Sequence, residues 1–436
     1  MLSLYIHIPF CSHHCSYCSF QVIPLDTLGE EVDRPSLIAS YMDALRQQII
    51  SYGTALTKDG SREQIKTIYF GGGTPSKVGY EQIHRTLQTI EEYFDISYLE
   101  ELSIEINPEP VEEMLSLITQ IQQNYRHYPR LRRSIGIQSF DNEVLADSGR
   151  AYTFQSCIDF LRRLVSLKKE NAVFNIDFIA FGKWNQTRKG DRQLRNPVSL
   201  EFLVNLLESA FIDSVSLYTL ELFPGSKWHA QQTALGMTAQ EWYGLKQYGT
   251  DDDVYEEFQI LKDIIQDAGY RRYEISNYSL AGKNSIHNRV YRAMGEWLGL
   301  GTSAVSHIQK SRALELWDFG ALSRDIFDEN VVSVHVTNSS SLKSFLAGEY
   351  RDQEKTELLD QQEYTKERFL VWLRVMEGIV IDAQTSNLLI PNRKEKIALY
   401  AGEWLCLRDE ETQRLSLTDN GMDVYNSIVS ELLQEV

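Results

Sequence analysis

Three of the five cysteines, Cys11, Cys15 and Cys18, fall in the segment PFCSHHCSYCSF. Thiolates at CxxxCxxC spacing reach three corners of one compact iron–sulfur cluster. A four-iron cubane normally takes four cysteines, so one iron stays open. An open iron chelates the amino and carboxylate groups of an amino acid. A sulfonium on that amino acid then lies beside the cluster, where one electron splits its C–S bond. Two other readings stand beside this one: a zinc site completed by His13 or His14, or three unrelated buried thiols. Cys157 and Cys406 lie in segments with helical, apolar character and are expected to be core residues.

The second feature is YFGGGTPS, with three consecutive glycines. They strip the side chains from a strand-to-helix turn. Backbone N–H and C=O groups could then approach a ligand near the positive end of the next helix.

Six short runs rich in β-branched and aromatic residues supply the elements that must position these features: SLYIHIPF, TIYFGGG, LSIEINP, RRSIGIQSF, NAVFNIDFIAFG and DSVSLYTLELF. Helical periodicity fills the gaps near 36–52, 79–94, 110–123, 155–168 and 198–209. The alternation predicts an α/β fold with a parallel sheet and crossover helices. Six βα units are fewer than the eight of a closed barrel, so a partial (β/α)6 TIM-like barrel is expected. Period-two alternation puts Tyr5 with His7, Glu105 with Asn107, Gly136 with Gln138, Asn175 with Asp177 and Ser216 with Tyr218 on one face. The apolar neighbours Leu4, Ile6, Ile104, Ile106, Ile135, Ile137, Ile176 and Phe178 face the helices. A polar barrel interior must be matched by a ligand or by mutual hydrogen bonds.

After residue 224 the rhythm stops. The expected organisation is a barrel over 1–224, an accessory α+β region over 225–339 with an amphipathic helix over 252–268, and a C-terminal helical, winged-helix-like domain over 340–436. The formal charge of −18 argues against broad nucleic-acid or anionic-membrane binding. No apolar run approaches the roughly 18 residues of a membrane span. The N-terminus MLSLYIHIPFC lacks the basic region of a signal peptide, and the clustered cysteines suit a reducing compartment, so a cytoplasmic protein is expected.

YIHIPFCxxxCxYCxF, GGGTPS, SIEINP, GIQSF followed by a glycine–arginine pair, and HNxxY with a nearby LGLG together resemble the radical S-adenosylmethionine family of oxygen-independent coproporphyrinogen III dehydrogenases and their relatives, the HemW-type heme chaperones. The resemblance runs along the whole chain. It implies a 4Fe–4S cluster on Cys11, Cys15 and Cys18, and S-adenosylmethionine contacts from Tyr5, Tyr17, Gly72, Gly73, Thr74, Glu105, Gln138, Arg150 and Asp177. Glu105 and Asp177 suit ribose hydroxyls or an ammonium group, and Arg150 suits a carboxylate.

The two branches differ in class. The dehydrogenases resemble CxxxCxxCxC and carry a long stretch before the motif; here the further position is Phe20, and ten residues precede Cys11. Both features favour the heme-chaperone reading, with oxidative decarboxylation of coproporphyrinogen III as the alternative and a cluster protein without heme binding as a third. The chaperones carry HNxxYW, and this chain reads His287, Asn288, Tyr291 and Arg292. The resemblance makes His287 a candidate heme ligand, with hydrogen bonding to a loop as the structural alternative. Arg292 replaces an aromatic surface by a cation that suits a propionate. Where relatives have GLPGQT this chain has GKWNQT, followed by a basic, disordered-looking insertion over 183–197. Expected partners are heme or a porphyrinogen, a reductant such as a flavodoxin or ferredoxin, and a heme-accepting protein.

Overall fold

The computed structural model describes residues 1–182, 184–186, 192–194, 197–246, 248–316, 330–388, 391–409 and 414–432. All six expected strands form: β1 (Leu2–Ile8), β2 (Ile65–Gly72), β3 (Glu101–Ile106), β4 (Leu131–Gln138), β5 (Ala172–Ala180) and β6 (Ser214–Thr219). Each neighbouring pair is parallel. The crossovers are α1 (Arg34–Leu56), α2 (Gly79–Tyr93), α3 (Val111–Asn124), α4 (Phe154–Leu164) and α5 (Pro197–Glu208). Their starts follow local chemistry. Asp33 caps α1 by accepting from Ser36 N and Pro35 sits in its first turn, while Thr153 and Ser156 form a capping box on α4.

The sheet does not end at residue 224. After α6 (Asp251–Asp267), the hairpin β7 (Arg271–Glu274) and β8 (Asn277–Ser279) adds antiparallel to β6. A short helix, α7 (Ile286–Arg292), leads into β9 (Trp297–Leu300), a seventh parallel strand beside β1. Strands β10 (Val305–Gln309), β11 (Val331–Asn338) and β12 (Arg351–Asp360) continue the same sheet antiparallel, with β11 and β12 pairing across residue 340. The sheet order is β7-β8-β6-β5-β4-β3-β2-β1-β9-β10-β11-β12.

The C-terminal part runs α8 (Gln361–Trp372), β13 (Ile379–Val380), α9 (Ala383–Leu388), α10 (Pro391–Tyr400), β14 (Leu405–Asp409) and β15 (Arg414–Leu417), then two short helices. The three strands pair antiparallel in the order β13-β15-β14, the helix-and-hairpin arrangement of a winged helix. It has its own apolar core around Phe369, Leu373, Leu415 and Leu432. Buried Arg272 and Lys262 join it to the sheet through Asp423, both at 2.6 Å.

Alternation behaves as expected. Leu4, Ile6, Ile104, Ile106, Ile135, Ile137, Ile176 and Phe178 are all buried under the helices. Cys157 is buried on α4, whereas Cys406 is half-buried on β14 and not helical: an alternating LCLRD segment with a hairpin partner forms a strand. Within the basic insertion, Trp184–Gln186 pairs antiparallel with Arg192–Leu194, so those six residues are ordered as a hairpin; the rest of 183–196 lies outside the described residues.

Candidate cluster and cofactor site

The three cysteines lie on the loop that leaves β1 at the C-terminal end of the parallel strands. Other chain segments pin this loop at several points. Ile23 N donates to Pro9 O at 2.7 Å, Ser16 N to Ser148 O at 2.9 Å, and Trp228 N to Ser16 O at 2.9 Å. Lys227 Nζ donates to His14 O at 2.9 Å. His14 Nε2 lies 3.0 Å from Cys18 O, so that imidazole is spent on the loop's own backbone. Cys11, Cys15 and Cys18 are half-buried free thiols. Burial pushes Cys11 up to about 11, partly relieved by the Thr74 hydroxyl 3.5 Å from its sulfur, and burial also raises Cys18. Among the described residues, no three His, Cys, Asp or Glu side chains are grouped to hold a single metal ion.

A polar relay runs back from the thiols. Asn107 Nδ2 donates to Thr74 Oγ1 at 3.1 Å, and Arg150 Nη1 donates to Asn107 Oδ1 at 3.0 Å. Arg150 Nε donates to the Tyr17 hydroxyl at 3.0 Å. Gln138 joins this group. It ends β4 at a bulge with φ of 64°, and its amide lies 3.0 Å from where a Cβ on Gly136 would be. A left-handed conformation at a residue with a Cβ costs about 1–2 kcal/mol, which marks a position held by its surroundings.

The glycines of the turn are also required by close packing. A Cβ on Gly72 would come within 2.5 Å of the His7 ring, and one on Gly73 within 2.7 Å of Pro9 backbone. The glycines let the turn pack against β1 and the cysteine loop. Their amides are taken: Gly72 N by Glu105 at 3.2 Å, Gly73 N by Ile8 O and Thr74 N by Phe10 O, each at 2.8 Å.

Inside the sheet lies a cavity lined by Tyr69, Glu105, Arg132, Asp177, Tyr218 and Asn288, among others. Glu105 on β3 and Asp177 on β5 sense each other across β4, because β4 presents only Ser134 and Gly136 between them. Burial, and then Asp177, push the Glu105 carboxyl up to about 7, against the lowering effect of Tyr69, which donates to it at 2.8 Å. Asp177 is also raised, by burial first. Below them the polar interior is satisfied internally: Asn175 donates to Ser134, Asp177 and Ser216 at 2.7–3.0 Å. Two crowded carboxylates with Arg132 as the one cation lining the cavity make a site that favours a cation. That fits a ligand with an ammonium and a sulfonium, and three half-buried thiols on one loop fit an iron–sulfur cluster.

The structure therefore brings together every candidate from the barrel motifs: Tyr5, Tyr17, Gly72, Gly73, Thr74, Glu105, Gln138, Arg150 and Asp177. Asn107 was legible only as a member of the polar face; its position linking Arg150 to Thr74 needed the fold. His287 lies behind the cavity wall, its ring 5.0 Å from that of Tyr69. It is 0% exposed. Its Nδ1 is 2.7 Å from the Thr67 hydroxyl and its Nε2 is 2.7 Å from the Tyr291 hydroxyl, so both ring nitrogens are engaged. Arg292 is also committed, to buried Glu274 at 3.2 Å.

The Radical SAM superfamily matches residues 5–183. The chain is 26% identical over 435 residues to a heme chaperone HemW of Lactococcus lactis, covering 99% of this chain and 97% of that one. It is 29% identical over 320 residues to a heme chaperone HemW of Bacillus subtilis, covering 72% and 73%. The fold matches that of the coproporphyrinogen III oxidase HemN from Escherichia coli with a TM-score of 0.68 at 18% identity, covering 100% of this chain and 90% of that one. The family implies a 4Fe–4S cluster and S-adenosylmethionine, and the thiol loop and acidic cavity suit both. Residues 5–183 thus match the Radical SAM superfamily, and along nearly its whole length the chain is similar to a heme chaperone HemW.

Proposed function

We propose that this protein binds heme and delivers it to acceptor proteins, with Cys11, Cys15 and Cys18 holding the cluster and the barrel cavity holding S-adenosylmethionine. When bound, that pair supplies one-electron cleavage of a sulfonium. Glu105 and Asp177 offer charge partners to the cation, Arg150 and Gln138 meet the carboxylate end, and Tyr69 and Tyr218 wall the cavity. A soluble reductant such as a flavodoxin or ferredoxin would supply the electron, and the reduced thiols suit a cytoplasmic setting.

The observation that carries the chaperone reading over the dehydrogenase is Phe20: at the position of the dehydrogenases' further cysteine, it is 65% exposed and supplies no thiolate. Similarity to HemW along nearly the whole chain adds support. Titrating the anaerobic, cluster-loaded protein with heme should give a saturable Soret shift, and a heme-free acceptor should then draw the heme off. No shift would remove the reading.

A further inference from the structure

A series of aromatic rings in contact, three tyrosines and a tryptophan joined through a histidine, leads out of the barrel cavity. Tyr5 and Tyr69 lie 6.0 Å apart between centroids, Tyr69 and His287 5.0 Å, His287 and Tyr291 4.7 Å, and Tyr291 and Trp297 4.6 Å. Tyr69 lines the cavity beside Glu105 and Asp177. Trp297 lies half-buried on β9, where its ring also meets His307 at 4.9 Å, and its indole N–H donates to Val305 O at 2.8 Å in an exposed setting. Electron transfer falls off steeply with distance, so rings in contact form the shortest way across the sheet.

Each phenol in the stack also meets a buried base. The Tyr5 hydroxyl lies 3.2 Å from His7 Nδ1, Tyr69 donates to Glu105 at 2.8 Å, and the Tyr291 hydroxyl lies 2.7 Å from His287 Nε2. The hydrogen-bond network fixes the second imidazole. Thr67 donates to Ser3 at 2.7 Å, so it accepts from His287 Nδ1–H, which leaves Nε2 unprotonated to receive the Tyr291 proton. Other buried tyrosines, Tyr41, Tyr270 and Tyr425, donate to backbone carbonyls, which accept no proton. Tyr128 and Tyr248 have carboxylate partners but lie outside this stack.

We propose that Tyr69, Tyr291 and Trp297, with Tyr5 at the inner end, form an electron relay that quenches a carbon-centred radical left in the cavity by drawing an electron from a thiol- or ascorbate-class reductant that meets half-buried Trp297. It rests on the reading that sulfonium cleavage occurs in this cavity. The steps balance. The radical takes a hydrogen atom from the Tyr69 hydroxyl, breaking O–H and forming C–H. The Tyr69 phenoxyl takes an electron from Tyr291 and a proton delivered from solvent by way of the Glu105 carboxylate, while the Tyr291 proton passes to His287 Nε2. The Tyr291 phenoxyl takes an electron from Trp297 and recovers that proton. The external reductant refills Trp297. The net change is one electron and one proton added to the radical.

The test has two arms. In cluster-free protein, flash-generated ruthenium(III) tris-bipyridine oxidises surface indoles, and transient absorption follows conversion of tryptophan radical to tyrosyl radical. Tyr291→Phe and Trp297→Phe should each lose the same part of the tyrosyl signal, and the double variant no more than either, since the two act in series. Unchanged signals, or losses that add, would overturn the relay. Thermal melts of both variants check that the sheet is intact. In cluster-loaded protein given reductant and S-adenosylmethionine, freeze-quenched EPR should show a persistent phenoxyl radical in Tyr291→Phe that is lost in the parent. Equal decay in both overturns the proposal. Absence of 5′-deoxyadenosine overturns the relay's role as an outlet for that radical, while the flash arm independently decides whether the rings conduct.

Discussion

Arg150 donates to the Tyr17 hydroxyl from Nε at 3.0 Å and holds its guanidinium 5.6 Å from the centre of the same ring. Tyr17 stands between Cys15 and Cys18, so this contact ties the cysteine loop to the segment after β4, and through Asn107 and Thr74 to Cys11. Removing the cation leaves a buried phenol and amide unpaired, at about 1–3 kcal/mol. Arg150→Ala should lower both the melting temperature and the iron retained after anaerobic reconstitution. Arg150→Lys, which keeps the charge and loses the fork, should fall between.

Gly73 is needed for contact, not for turn flexibility. A Cβ there would meet Pro9 carbonyl atoms at 2.7 Å, and backbone cannot swing aside as a side chain does. Gly73→Ala should cost about 1–3 kcal/mol through overpacking and should displace the cysteine loop. The check is iron content against melting temperature, with both reduced.

The sequence made the barrel legible because each of its strands is adjacent, in order, to the next, and the alternation of SIEI or NIDF carries both the strand and its polar face. The seventh parallel strand was not legible. Trp297–Leu300 has four residues, ends before a glycine, and finds its partner β1 about two thirds of the chain away (Ser3 opposite Trp297), so no local period announces it. Thiol spacing declared the cluster loop, whereas the fixing of that loop by Ser148 and Trp228 is tertiary. For the HNxxY segment the sequence left a heme ligand and a hydrogen-bonding histidine side by side, because sequence cannot say which way a histidine points. Here α7 turns His287 into the sheet interior.

Protonation of Glu105 gives a pH signature. Its carboxyl titrates near 7 in the folded cavity against 4.5 for an unperturbed group, so the folded chain holds that proton more tightly between those values. Stability of the cofactor-free protein should therefore fall as pH rises across that window and level off above it. A bound cation favours the ionised form, so affinity for S-adenosylmethionine should rise as pH climbs through about 7. Glu105→Gln should flatten both curves. Equilibrium denaturation and calorimetric titration across the range provide the check.

His287 holds Thr67 and Tyr291 together, and burial lowers its imidazole to about 3, so it stays neutral. His287→Phe strands those two hydroxyls and should lower stability by about 1–3 kcal/mol for each one left unpaired. The heme Soret band should survive the change. A lost or shifted band in a variant that still folds would return His287 to the list of iron ligands.

The most direct test uses one anaerobic preparation carrying about four irons per chain, the load of a cubane cluster. Given reductant, S-adenosylmethionine, coproporphyrinogen III and heme in turn, it is scored for porphyrinogen conversion and for heme bound and passed to an acceptor. The account predicts saturable heme binding, transfer to the acceptor, and no protoporphyrinogen. Conversion of coproporphyrinogen III to protoporphyrinogen, with no heme bound, would contradict it.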